Sequence, residues 1–114
     1  MRRDRERLLD MLDALDSLAD CLGDCWASQF LSNDLIYSAC AHQLTIVGEA
    51  AAGLSADTQD RHRQIEWRKI IGLRNVLVHE YFGIDHPMVW EVAITDAPRL
   101  RDQIVALLAA ETFE

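Results

Sequence analysis

The stretch LLDMLDALDSLADCL, Leu8 to Leu22, decides the fold class. Its apolar residues Leu8, Met11, Leu12, Leu15, Leu18, Ala19 and Leu22 recur at spacings of three and four, with aspartates between them. That spacing keeps one face of a helix apolar and predicts an amphipathic helix ending near Gly23. The same period returns downstream. Ser32, Asn33 and Asp34 offer N-caps for a second helix, whose wide apolar face takes in Leu35, Ile36, Ala39, Cys40, Gln43, Leu44, Val47, Ala50, Ala51 and Leu54. Gly53 weakens its last turn. Ser55 to Ile65 is polar and reads as a loop or short helical turn leading into Trp67.

A third helix is predicted from about Trp67 to Tyr81. Ile70, Ile71, Leu73, Val76, Leu77 and Val78 cover more than one of its faces, which predicts burial on two sides. Gly72 in its interior costs helix propensity, and its expected reason is close approach of a neighbouring backbone. Gly83 fits a helix stop, Asp85 a cap and Pro87 a first-turn proline. The last helix runs from there nearly to the end, with Pro98 imposing a break or kink around Thr95 to Ala97 and Leu100, Ile104, Leu107 and Leu108 turned inward. No alternation with a strand's period persists. The expectation is an all-α, up-and-down bundle of four to five helices, one domain over residues 1–114.

Composition narrows the class. Half of the 114 residues are apolar, and no low-complexity stretch or internal repeat interrupts them. The basic N-terminus is broken by Asp4, Glu6 and Asp10, so no signal-peptide core follows, and no apolar run approaches a membrane span. A soluble cytoplasmic protein without a membrane association is expected. Cys21, Cys25 and Cys40 lie in apolar helical contexts and read as reduced core thiols; with His42 they match no standard zinc spacing, so neither a metal nor a cofactor is expected.

The formal charge of −8 argues against broad nucleic-acid binding. Its distribution is uneven. Eight carboxylates and no Lys or Arg occur between Asp10 and Asp57, whereas Arg61, Arg63, Arg68, Lys69 and Arg74 concentrate in one short stretch. One face can therefore hold phosphate while the rest stays acidic.

Within that stretch, WRKIIGLRNVLVHEYFG (Trp67 to Gly83) sets Arg74, Asn75, His79 and Tyr81 into a hydrophobic helix. Asn75 and His79 share a ridge, Arg74 and Tyr81 a neighbouring one, and Arg74 and His79 lie about 140° apart. A single straight helix does not aim both at one small target. If the third helices of two protomers faced each other across a two-fold axis, these groups would converge in one groove, which predicts a homodimer. The chemistry available there is metal-free RNA cleavage: a histidine moves protons near neutral pH, and an arginine holds a phosphate as charge builds on it. The 2′-OH would restrict the reaction to RNA and give a 2′,3′-cyclic phosphate, with Asn75 orienting the imidazole or the substrate.

Blander readings account for the same residues one at a time. A histidine is favoured at a helix C-terminus by the dipole, and an arginine five residues earlier pairs with a carboxylate. Tyr81 alone reads as half-buried packing, and Trp67 and Trp90 as core anchors rather than base-stacking platforms. His42, His62 and His86 show no partner pattern and are assigned no role.

Together the residues go further, because Arg74-Asn75-x-x-x-His79-x-Tyr81 resembles the R-x4-H-x-Y signature of HepT-like proteins in the HEPN superfamily. Ile46-Val47-Gly48-Glu49-Ala50-Ala51, Trp67-Arg68, Tyr81-Phe82-Gly83-Ile84-Asp85 and Val89-Trp90-Glu91 are also similar to that family, over roughly Leu35 to Leu108. The resemblance implies a helical bundle that dimerises through the helices carrying the motif. Arg74 and His79 would be catalytic residues of a metal-independent endoribonuclease, with Asn75 an active-site neighbour. It implies the toxin of a type II toxin–antitoxin pair, whose partner is a minimal nucleotidyltransferase that transfers AMP from ATP onto Tyr81. Attached AMP would place negative charge and a bulky base beside Arg74. The alternative is a noncatalytic module that binds nucleotide or docks the nucleotidyltransferase.

Overall fold

A computed structural model describes residues 2–79 and 83–111. Seven α-helices are formed among the described residues: α1 (Arg2–Leu22), α2 (Ala27–Ser32), α3 (Asp34–Ala52), α4 (Ala56–Arg61), α5 (Trp67–His79), α6 (His86–Glu91) and α7 (Ala97–Ala110). A π-helical turn, Val92–Asp96, joins α6 to α7. No strand occurs among the described residues. The bundle is carried by the four long helices: α3 packs on both α1 and α5, and α7 packs on α1.

Local signals place most of these boundaries. Leu8, Met11, Leu15 and Leu18 form the buried stripe of α1, which stops at Gly23, where φ is +51°, a conformation that glycine adopts without steric cost. Asn33 caps α3 by accepting hydrogen bonds from Leu35 N and Ile36 N at 3.0 and 3.2 Å. The polar Ser55–Ile65 segment contains α4, capped by the Ser55 hydroxyl. That cap is tied to α1 through Asp4, a carboxylate only 1% exposed, which accepts from Ser55 N at 3.0 Å and from the Ser55 and Thr58 hydroxyls at 2.6 Å each. Burial pushes the Asp4 carboxyl's pKa up, but these hydrogen bonds outweigh it and hold the pKa below its ordinary value. Trp67 is buried, as an anchor should be, and donates its indole N–H to the His62 carbonyl at 3.1 Å.

The break or kink expected from Pro98 around Thr95 to Ala97 takes the form of the π turn Val92–Asp96, with no loop between α6 and α7. The proline ring cannot donate an N–H and crowds the carbonyl four residues back. The chain widens ahead of it into the π turn, where Ala97 N–H reaches Val92 O, and α7 then continues with Leu100, Ile104 and Leu107 buried and Leu108 half-buried.

Four expectations are corrected. The second helix is preceded by a short one, α2, whose Phe30 is fully buried and packs on the rings of Trp90 and Tyr37 at centroid distances of 5.2 and 5.7 Å. Leu35 stands at the α3 N-terminus and is 83% exposed rather than part of the apolar face. Of the three free thiols only Cys40 is in the core, while Cys25 is half-buried and Cys21 exposed. Gly72 meets no neighbour: a Cβ built there has nothing within 4 Å.

Burial of the third helix on two sides is only half realised. One side of α5 packs on α3. The other faces α6, the π turn and α7 across an apolar groove of about 430 Å³, with Ile70, Leu73 and Val76 on one wall and Met88, Val92 and Leu100 on the opposite one.

Candidate functional site

The site grows from one glycine on α3. Gly48 is buried against α5, and a Cβ placed on it would overlap Arg74 Cβ and stand 2.9 Å from Arg74 Cγ and 3.1 Å from the Ile70 carbonyl. The two helices therefore approach closely enough for the stem of Arg74 to lie across the α3 backbone. Glu49, the next residue, receives the far end of that side chain. Arg74 Nε donates to Glu49 Oε1 at 2.9 Å, and Nη2 lies 2.8 Å from the same oxygen. Nη1 donates to Asn75 Oδ1 at 2.6 Å. The guanidinium is thus held at all three nitrogens while its side chain remains 26% exposed.

His79 is the last residue of α5 and is exposed. No hydrogen bond to its imidazole occurs among the described residues. It stands five residues beyond Arg74, a rise of about 7.5 Å along the axis and about 140° around it. Asn75, also exposed, shares its ridge, but its carbonyl oxygen is turned to Arg74 rather than to the imidazole. Tyr81 lies outside the described residues.

Arg74, Asn75 and Glu49 are therefore brought together, and His79 reaches the surface of the same helix. Glu49 and Gly48 had been given no individual role from the sequence. The signal was present: a Gly-Glu pair interrupts the apolar run of α3, and the argument applied to Gly72, that an interior glycine marks a close approach, holds at Gly48.

The basic stretch is less basic in three dimensions than in sequence. Arg61 pairs with Asp57 and, at 2.8 Å, with Glu111; Arg63 lies 3.9 Å from Asp60, Lys69 3.3 Å from Glu66, and Arg74 is held by Glu49. Arg68 has no ion pair among the described residues. Most of the pairs are exposed and worth little, so they exchange readily for phosphate, but they lower the standing positive potential. His62, assigned no role, has a partner: its Nε2 lies 2.7 Å from Glu111 Oε1. Hydrogen bonds from Arg61 and then His62 hold the Glu111 carboxyl below its usual pKa, and this contact ties the end of α7 to α4. His86 stacks on Tyr37 with ring centroids 3.8 Å apart.

No helix among the described residues is long and apolar enough to cross a membrane. Comparison with known proteins places the chain in a family. The model of the family described as "Ribonuclease HepT-like" matches residues 11–107, which include α3 and α5 entire. The chain is 30% identical over 97 residues to "Putative RNase MJ1380" of Methanocaldococcus jannaschii, covering 85% of this chain and 89% of that one. It is 28% identical over 111 residues to "Putative RNase TTE0752" of Caldanaerobacter subterraneus subsp. tengcongensis, covering 97% and 99%. It is also 27% identical over 106 residues to "Probable ribonuclease HepT" of Thermococcus cleftensis, covering 93% and 96%. No solved structure matches the chain. With its all-α bundle and a match that spans most of its length, the protein belongs to the HepT-like family of the HEPN superfamily.

Proposed function

We propose that this protein is a metal-independent endoribonuclease whose active groups are Arg74 and His79, working in a cleft between two copies of the chain. The observation that carries the reading is the state of Arg74: a guanidinium fixed on α5 by Glu49 and Asn75, with part of it still open to solvent.

In the reaction, Arg74 grips the scissile phosphodiester and neutralises the charge that grows on its oxygens as the ribose 2′-oxygen attacks phosphorus. His79 moves the proton, either taking it from the 2′-OH or giving it to the departing 5′-oxygen, and the P–O5′ bond breaks to leave a 2′,3′-cyclic phosphate. Asn75 fixes Arg74 and offers its amide N–H groups to the substrate. Because Arg74 and His79 diverge on one helix, the pair acting on a given phosphate is drawn from the α5 helices of two protomers.

The biological reading that follows is a toxin restrained by a nucleotidyltransferase antitoxin, which transfers AMP from ATP to the Tyr81 hydroxyl with release of pyrophosphate. Tyr81 stands seven positions after Arg74 in sequence, so the added phosphate would compete with RNA for the same cation. The cytoplasm, where RNA and ATP are available, is the proposed location.

Purified protein incubated with RNA tests the activity. Cleavage that survives chelator and leaves cyclic phosphate ends is the expected result. Intact RNA would instead favour a noncatalytic module that docks the nucleotidyltransferase, a reading favoured by the paired state of most cations around α4 and α5. Incubation with the partner and ATP should add mass in AMP units at Tyr81, and Tyr81→Phe should block the addition.

A further inference from the structure

We propose that Glu49 is a positioning residue that presents one particular edge of Arg74 to the RNA phosphate. The inference rests on the ribonuclease reading above.

A guanidinium carries five N–H groups in a plane, arranged as two forks. The side-on fork, Nε–H with the near N–H of Nη2, is occupied by Glu49 Oε1 at 2.9 and 2.8 Å. One N–H of Nη1 is given to Asn75 Oδ1 at 2.6 Å. That leaves one N–H on each Nη without an acceptor among the described residues, and this pair is assigned to the end-on fork. Two parallel N–H groups at that spacing match two oxygens of a phosphate. At the other end of the side chain, the absence of a Cβ on Gly48 fixes where the stem lies. Arg74 is thus pinned at its stem by α3, along one edge by α3 and at one corner by its own helix.

Glu49 also subtracts charge from the group it orients. It therefore does not help the protein collect RNA; its contribution is to have the fork aimed before charge develops on the phosphate, which appears in the chemical step. An anchor that merely held two helices together would act on folding. Glu49 is poorly suited to that, since its side chain is 53% exposed.

The test compares full-length wild type, Glu49→Ala, Glu49→Gln, Arg74→Lys and the Glu49→Ala/Arg74→Lys pair on one RNA, reading kcat and KM separately and melting temperature in parallel. Glu49→Ala should lower kcat about tenfold, a loss typical of a misaimed group, with KM no higher than wild type. Glu49→Gln retains an oxygen that accepts from Nε–H and should recover part of that loss. Lysine has no fork to aim, so in the Arg74→Lys background removal of Glu49 should leave kcat unchanged. Wild-type kcat in Glu49→Ala, a rise in KM alone, or an equal loss in both backgrounds would overturn the proposal. Wild-type protein that leaves RNA intact would end the ribonuclease reading and this one with it.

Discussion

Gly48 on α3 and Arg74 on α5 are packed so closely that the glycine's missing side chain is the space the arginine's stem occupies. This contact sets both the spacing of the two helices and the starting point from which the guanidinium reaches Glu49. A methyl group at Gly48 must displace Arg74 or the Ile70 carbonyl, which is backbone and cannot swing aside. Gly48→Ala should therefore cost about 1–3 kcal/mol in urea denaturation, as overpacking does. Gly72→Ala, at an exposed interior helix position with open space around it, should stabilise by about 0.5–1 kcal/mol. Equal effects at the two glycines would contradict the packing described.

Asp4 should be the source of a distinct acid sensitivity. Its folded pKa is depressed below the ordinary 3.8, so its stabilising contribution is fully present above that value and is lost as pH falls through the folded pKa. Asp4→Ala leaves the Ser55 and Thr58 hydroxyls and the Ser55 N–H without their acceptor, and should cost about 2–4 kcal/mol at pH 7. Unfolding free energies from pH 7 down to pH 3 should fall less steeply in Asp4→Ala than in wild type.

Thiol labelling should discriminate the three cysteines. Cys40 is buried, and burial, followed by the neighbouring Cys21 and Cys25, pushes its pKa up to about 11. At pH 8 a soluble disulfide reagent should label exposed Cys21 first and half-buried Cys25 more slowly, and reach Cys40 only in denaturant. Rapid labelling of all three in the native protein would show that the α1–α3 seam opens.

The long helices were legible because their signals are local. Periodicity in α1, the Asn33 cap and the Gly23 stop each depend on residues within a turn or two of one another. What escaped the sequence depends on partners distant in the chain. Phe30 belongs to a six-residue helix too short for a period, and its contacts with Tyr37 and with Trp90, 60 residues on, make it core. Leu35 fits the stripe of α3, yet it lies at the helix end, where no neighbouring helix covers it. The close approach assigned to Gly72 belongs to Gly48, because propensity alone does not say which interior glycine faces another helix. At the site, Arg74, Asn75 and His79 were singled out by their chemistry together with the family resemblance of their motif. Glu49 was not, since 25 residues separate it from the arginine it holds.

The central claim, that Arg74 and His79 from two protomers act on one phosphodiester, is tested most directly by mixing inactive subunits. Arg74→Ala and His79→Ala proteins, each silent alone, are unfolded together, refolded and assayed for RNA cleavage. Half the dimers formed by random pairing are mixed, and each mixed dimer carries one intact Arg74/His79 pair across the two-fold, so about a quarter of wild-type activity should return. A mixture that forms mixed dimers yet stays as inactive as its parents, beside an active wild type, would contradict the account.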